Sequence, residues 1–196
     1  PRVGLKYQFH PGKALSIAGG LHSRTEAIMT YEAEATNDAG SSYRPNENLG
    51  LSKAAHAVIG YEQMLTEDIQ FKMEAYYQHH FNVPVENDPN SSYSLTNYSG
   101  WFTTTPLVNK GVGRNYGVEL SLEKFFTHGY HFMTTASLSD TRYKALDGVW
   151  RNSRFNMGLV ANALAGKEWK VGSKDKVLTT SFRYSVLGGQ YGTPID

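Results

Sequence analysis

Apolar and polar residues alternate one for one through eight stretches of this chain, near residues 2–9, 14–23, 51–64, 69–82, 114–126, 130–143, 155–165 and 177–187. Successive side chains of a β-strand point to opposite faces, so a period of two predicts strands with two chemically different sides. In the fourth stretch Ile69, Phe71, Met73, Ala75 and Tyr77 share one side, and Gln70, Lys72, Glu74, Tyr76 and Gln78 share the other. In the fifth, Tyr116, Val118, Leu120 and Leu122 oppose Gly117, Glu119, Ser121 and Glu123. Val3, Leu5, Tyr7 and Phe9 open the chain with the same alternation, and Phe155, Met157, Leu159, Ala161 and Ala163 carry it into the seventh stretch. A helix is excluded by the period and by the richness in Tyr, Phe, Val and Thr.

The links between these strands take turns in length. His10–Lys13, Leu65–Asp68, Thr127–Gly129 and Gly166–Lys176 are short, whereas Arg24–Gly50, Val83–Gly113 and Lys144–Arg154 are long. Tight turns at one end and long loops at the other predict an all-β, antiparallel up-and-down meander of about eight strands, a segment of a transmembrane β-barrel. Strand length agrees: these run to about 9–14 residues, whereas soluble strands cluster near 5–6 and a tilted membrane strand needs about 9–11. Pro45, Pro84, Pro89 and Pro106 are expected in the long loops, where they interrupt no ladder.

Composition narrows the classes. Nineteen basic against 18 acidic residues give a net charge of +1, with no basic stripe, so no nucleic-acid partner is expected. The absence of cysteine removes disulfides and thiolate metal sites. The 13 Tyr, nine Phe and three Trp suit the aromatic girdles of a membrane barrel, or equally an aromatic-rich soluble β domain. Lys6, Glu62, Lys72, Glu74, Glu119, Glu123 and Arg183 fall at mid-strand on the polar sides. A closed eight-strand barrel is only wide enough for its side chains to fill it, so these charges point to a wider wall, with a wet lumen or packed around a polar plug.

Several segments resemble the barrel of a TonB-dependent outer-membrane receptor of the type common in Bacteroidetes. They are PRVGLKYQF at 1–9, NENLGLSKAAHAVIGYE at 46–62, EAYYQ at 74–78 with NVPV at 82–85, ASLSDTRY at 136–143 and NALAGKEW at 162–169. Asn109–Lys124 is the strongest, matching the family's G-x-x-x-G-x-E-x-x-x-x-K strand through Gly113, Gly117, Glu119 and Lys124. The resemblance covers nearly the whole chain. It implies residues 1–196 as a single barrel segment, roughly a third of a 22-strand barrel and from its C-terminal half. It also implies an outer-membrane location, contact with outer-membrane lipid, and energy coupling to TonB through a plug domain. The cargo would be a scarce nutrient: a metal chelate, a cofactor or a glycan. The family's plug and the usual terminal aromatic are not found in this sequence, which closes on Pro194, Ile195 and Asp196. Self-association along an exposed strand edge is a further expected partner mode. Two other readings stand beside it. One is a complete small outer-membrane barrel with a structural or adhesive role, pairing its first strand with its last. The other is a soluble lipocalin-like or sandwich domain.

No catalytic, metal or cofactor site is expected. His79 and His80 are adjacent and so face opposite ways, while His22, His56 and His131 sit on the polar sides of different strands. Glu119 and Glu123 share a side but lie roughly 13 Å apart along a strand, too far for a carboxylate pair. Enzyme activity is therefore not expected. The candidate ligand contacts are Tyr93, Tyr98, Trp101 and Phe102, rings set among Asn, Ser and Thr in a long loop, where stacking and hydrogen bonding suit a sugar or a planar ligand. The competing reading is that these rings pack the loop on itself or mark an interface girdle.

Overall fold

The computed structural model describes residues 1–98, 100, 102–172 and 176–191. The chain forms β1 (Arg2–His10), β2 (Lys13–Arg24), α1 (Ile28–Glu32), β3 (Ala35–Thr36), β4 (Ser42–Tyr43), β5 (Ser52–Met64), β6 (Ile69–Glu86), a 3-10 turn (Leu95–Asn97), β7 (Leu107–Thr127), β8 (Tyr130–Lys144), β9 (Trp150–Asn152), β10 (Leu159–Val171) and β11 (Lys176–Leu187). One antiparallel sheet runs β1-β2-β5-β6-β7-β8-β10-β11, with β9 added beside β8 and β3 paired only to β4. This is the expected up-and-down meander. The sheet is open: β1 and β11 lie at its two edges, so the first-to-last pairing of a complete small barrel is not formed.

Register carries the alternation from strand to strand. Tyr7, Leu15, Tyr61, Met73, Leu120, Ala136, Ala161 and Val186 stand as direct neighbours across all eight long strands. One residue along, on the opposite face, the row reads Gln8, Ala14, Glu62, Lys72, Ser121, Thr135, Asn162 and Ser185. The apolar face has no cover among the described residues: Leu5, Ile17, Ile59 and Leu138 are 56–67% exposed. The apolar zone also runs obliquely to the rows. Val3 on β1 is still apolar in the row where β8 has reached Asp140. Tyr184 and, one row further, Phe182 continue the zone on β11 where β2 has already reached Lys13. A zone slanted against the hydrogen-bond rows is the mark of tilted strands.

The short turns follow local chemistry. Between β7 and β8, His128 and Gly129 both take positive φ, 53° and 78°, as a two-residue hairpin whose twist matches its strands requires. Asp68, in the β5–β6 turn, accepts from Lys124 Nζ at 2.6 Å and from the Thr127 hydroxyl, so two neighbouring turns are tied together. Lys124 is almost fully buried and lies 4.3 Å from the Tyr130 ring centre.

The long-loop end departs from the sequence-based boundaries in three places. β6 and β7 continue to Glu86 and from Leu107, absorbing both ends of the 83–113 link, because a bulge at Asn82 (φ 53°) lets pairing resume at Val83. Pro84 thus lies inside β6 rather than in a loop, at a register irregularity where its missing N–H costs no ladder bond. The seventh strand runs 159–171, not 155–165. Asn156 N–H turns back to the Ser153 carbonyl and Gly158 takes φ 68°, which keeps Phe155 and Met157 out of the ladder. The Gly166–Lys176 link shrinks correspondingly, since Val171 still pairs with Lys176.

Most of the buried apolar side chains gather under these loops, Val83, Val85, Leu107, Tyr143 and Ala145 among them, whereas Ala14 is buried at the tight-turn end. Asn46, 1% exposed, locks them in. Its Nδ2 donates to the Thr105 and Thr103 carbonyls (3.0 and 3.4 Å), and its Oδ1 accepts from Leu107 N–H at 2.9 Å. Asn109 does the same one step down, accepting from Gly50 N–H (2.8 Å) and donating to the Gly50 and Asn82 carbonyls (3.1 and 3.0 Å). Asn97 Oδ1 accepts from Arg154 N–H at 2.7 Å, so all three long loops are joined.

Two outcomes follow. Asn46→Ala strands one buried donor and the carbonyls of Thr103 and Thr105, at a cost of about 1–3 kcal/mol. Hydrogen exchange at Leu107 should accelerate, with β1–β2 amides unchanged. Asp68→Asn removes the partner of a buried ammonium, and urea unfolding should show a lowered midpoint. Hydrogen bonds from Lys124, Thr127 and Thr66 hold the Asp68 carboxyl well below the usual carboxylate range. Its stabilisation is therefore complete above the unfolded value of about 3.9 and is lost as pH falls below it. The gap between wild type and Asp68→Asn should be constant at neutral pH and close in strong acid.

Candidate functional site

Five strands and two loops meet in a cavity at the long-loop end of the polar face. His22 and Arg24 come from β2, Ser52 from β5, His80 from β6 and Tyr143 from β8, with Thr96, Ser153 and Phe155 reaching in from the loops. Its volume is about 350 Å³, within the range of small-molecule sites. Alternation explains the wall: His22, Ala54, His80, Gly113 and Tyr143 are neighbours in one row of the polar face. Gly113 leaves the floor bare; a Cβ there would come within 3.3 Å of the His80 side chain.

Beneath the cavity the His22 and His56 rings stack 4.5 Å apart, and the Arg2 guanidinium donates to His22 Nδ1 at 3.2 Å. In the next row Gln78 accepts from Asn115 (3.3 Å) and Asn115 accepts from Thr141 (2.9 Å). The Glu26 carboxylate is taken up by the Ser52 hydroxyl and Arg24 (3.7 Å), and Asp140 by Arg142 (3.0 Å). The upper wall is thus basic and rich in donors. Further down, Glu74 stands directly opposite Glu119, with Glu123 and Lys72 lining the same hollow, and Lys6 pairs with Glu62. Among the described residues no three His, Cys, Asp or Glu side chains group as a metal site. The arrangement can hold a polar or anionic ligand through donors.

The loop aromatics take a different place. Tyr93 and Tyr98 pack at 5.5 Å and 48°, and the Tyr98 hydroxyl donates to the Phe102 carbonyl at 3.2 Å. Burial pushes the Tyr93 phenol up, so it stays neutral. Tyr98 and Phe102 keep exposed ring faces, 38% and 46%, and Trp101 lies outside the described residues. None of the three described rings lines the cavity, although Thr96 from the same loop does. Of the cavity residues, His22 was legible as a polar-face position, whereas Arg24 was expected in the first long link; only register across β2, β5, β6, β7 and β8 assembles the set.

No protein-family model matches this chain, and no curated protein matches it by sequence. Among solved structures it is similar to the FrpB iron transporter from Neisseria meningitidis (F3-3 variant), with a TM-score of 0.59 and 15% identity over 87% of this chain and 24% of that one. The chain spans about a quarter of that transporter's length. At this identity the likeness is one of fold: an antiparallel up-and-down wall similar to part of that protein.

Proposed function

We propose that the chain is part of the wall of a TonB-dependent outer-membrane transporter, its apolar face against lipid and its polar face toward a wet lumen. The carrying observation is the slanted apolar zone on one face of a sheet whose other face holds Lys72, Glu74, Glu119 and Glu123. Between Tyr116 and Lys124 on β7 the apolar stretch is roughly 26 Å along the strand, and a tilt near 40° brings it to about 20 Å, close to the apolar band of such barrels. Tyr77 and Tyr116 pair at its upper limit, and Tyr130, Phe132 and Trp169 lie at its lower one. The long loops then face outside and the Asp68–Lys124 turns face the periplasm.

In this reading the 350 Å³ cavity is where an imported nutrient meets the wall. Its donors favour a polar or anionic cargo, and the exposed rings of Tyr98 and Phe102 are contacts above it. The match to an iron transporter supports import as the class of activity. The family resemblance adds energy coupling through a plug and TonB. The lipocalin-like alternative needs Leu120 enclosed, whereas it stands 40% exposed on the uncovered face.

Leu120→Arg puts a charge at the middle of the lipid face and should lower folding stability in phospholipid bilayers by about 2–4 kcal/mol. Ser121→Arg, one residue on and facing the lumen, should change it by under about 1 kcal/mol. Urea titration in liposomes reads both. Equal losses for the two variants, or a monomer soluble without detergent, would sink the reading.

A further inference from the structure

The polar-face row that walls the cavity alternates large and small side chains: His22, Ala54, His80, Gly113, Tyr143. Neighbouring strands stand about 4.8 Å apart, so His22 and His80 are roughly 10 Å apart across Ala54, whose methyl is too short to fill the gap. His80 leans the other way: a Cβ added at Gly113 would stand 3.6 Å from its ring edge. The space over Ala54 therefore stays open, with an imidazole on each side.

Four permanent cations line the same cavity, Arg24, Lys53, Arg114 and Arg142, and among the described residues no carboxylate does. Arg24 and Arg142 have Glu26 and Asp140 against them, at 3.7 and 3.0 Å. Lys53 and Arg114 form no ion pair among the described residues. Two positive charges are thus left without a counter-ion, and a cleft lined by one sign of charge concentrates the other. Val83, Ala54 and the Phe155 ring add apolar wall, which suits an organic body carrying the negative charge better than a bare ion.

His22 is held in its neutral form. A guanidinium only donates, so the Arg2 contact at 3.2 Å requires a lone pair on His22 Nδ1 and leaves the ring proton on Nε2. The groups around this ring are Arg2 from β1, Arg24 on its own strand, His56 stacked on it from β5 and His80 from β6 beyond Ala54. Across the cavity β7 and β8 add Arg114, Arg142 and the Tyr143 phenol. Protonating His22 in the empty cavity adds one more positive charge to an uncompensated set. A dianion over Ala54 reverses that balance.

We propose that the cavity binds an organic dianion together with one proton, which His22 takes up. The inference rests on the reading of the cavity as a cargo site; it adds the charge the cargo carries and the condition under which it is held. Proton and ligand favour each other reciprocally, so affinity rises as pH falls through the imidazole range near about 6.5.

Naphthalene-1,5-disulfonate is a dianion at every pH in this range, so any pH dependence of its binding belongs to the protein. Calorimetry of the full chain in uncharged detergent, at about pH 5.5 and about pH 7.5 and in buffers of different ionisation heat, reads affinity and proton uptake together. The wild type should bind roughly tenfold more tightly at the lower pH and take up close to one proton per ligand. His22→Gln should match the wild type at the higher pH and show neither the gain nor the uptake. His131→Gln, at the tight-turn end, should behave as the wild type. Equal wild-type affinity at both pH values, or a gain that His22→Gln retains, overturns the proton link and leaves the cargo reading standing. No binding at either pH, or binding indifferent to both Lys53→Gln and Arg114→Gln, overturns the dianion assignment. The Leu120→Arg comparison, which tests the transporter wall itself, is independent of these outcomes.

Discussion

Everything in this fold depends on the backbone register that keeps eight long strands in step. Side chains alternate by residue, so a slip of one position between β6 and β7 would carry Leu120 to the charged face and Glu119 to the apolar one. Hydrogen bonds alone do not fix that choice, since neighbouring registers offer the same number. The choice is made by which side chains end up together. The row from Tyr7 to Val186 and the row from Gln8 to Ser185 each hold their own chemistry across the full width of the sheet. The two hairpin turns joined by Asp68 and Lys124 pin that register at one end.

The other end is organised differently. There the sheet gains most of its buried side chains, not between two layers but beneath loops that fold over the polar face. Three asparagines hold those loops, because an amide offers both a donor and an acceptor and can close a backbone gap in both directions. Asn46 and Asn109 join the 25–51 segment to the β6–β7 hairpin, and Asn97 joins that hairpin to the segment before β10. A cavity that draws Thr96, Ser153 and Phe155 from separate loops keeps its shape through these bonds.

Much of the sheet was legible because alternation is a local signal. The eight long strands, the tight turns and the polar placement of His22 and His56 all come from residues a few positions apart. What was not legible depended on single residues overriding a pattern. Phe155 and Met157 continue the alternation of Leu159, yet Ser153, Asn156 and Gly158 turn them out of the strand. Val83–Val85 looked like loop because a proline sits among them, and the Asn82 bulge rescues the pairing. The cavity depends on contacts between residues far apart in the chain, as His22 and His80 are, so no window of sequence contains it. The loop aromatics show the converse: proximity in sequence brought Tyr93 to Tyr98, but placed neither against the cavity.

The two bare edges carry a consequence for assembly. β1 and β11 each present a line of amide and carbonyl groups without strand partners among the described residues. In water those groups are solvated at little cost, but each one left alone in hydrocarbon forfeits several kcal/mol. For a wall placed in lipid, a line of them outweighs the gain from every tail-facing Leu and Ile on its strand. Entry into the bilayer and the covering of both edges are therefore a single thermodynamic event: the sheet cannot go in first and find its neighbours afterwards.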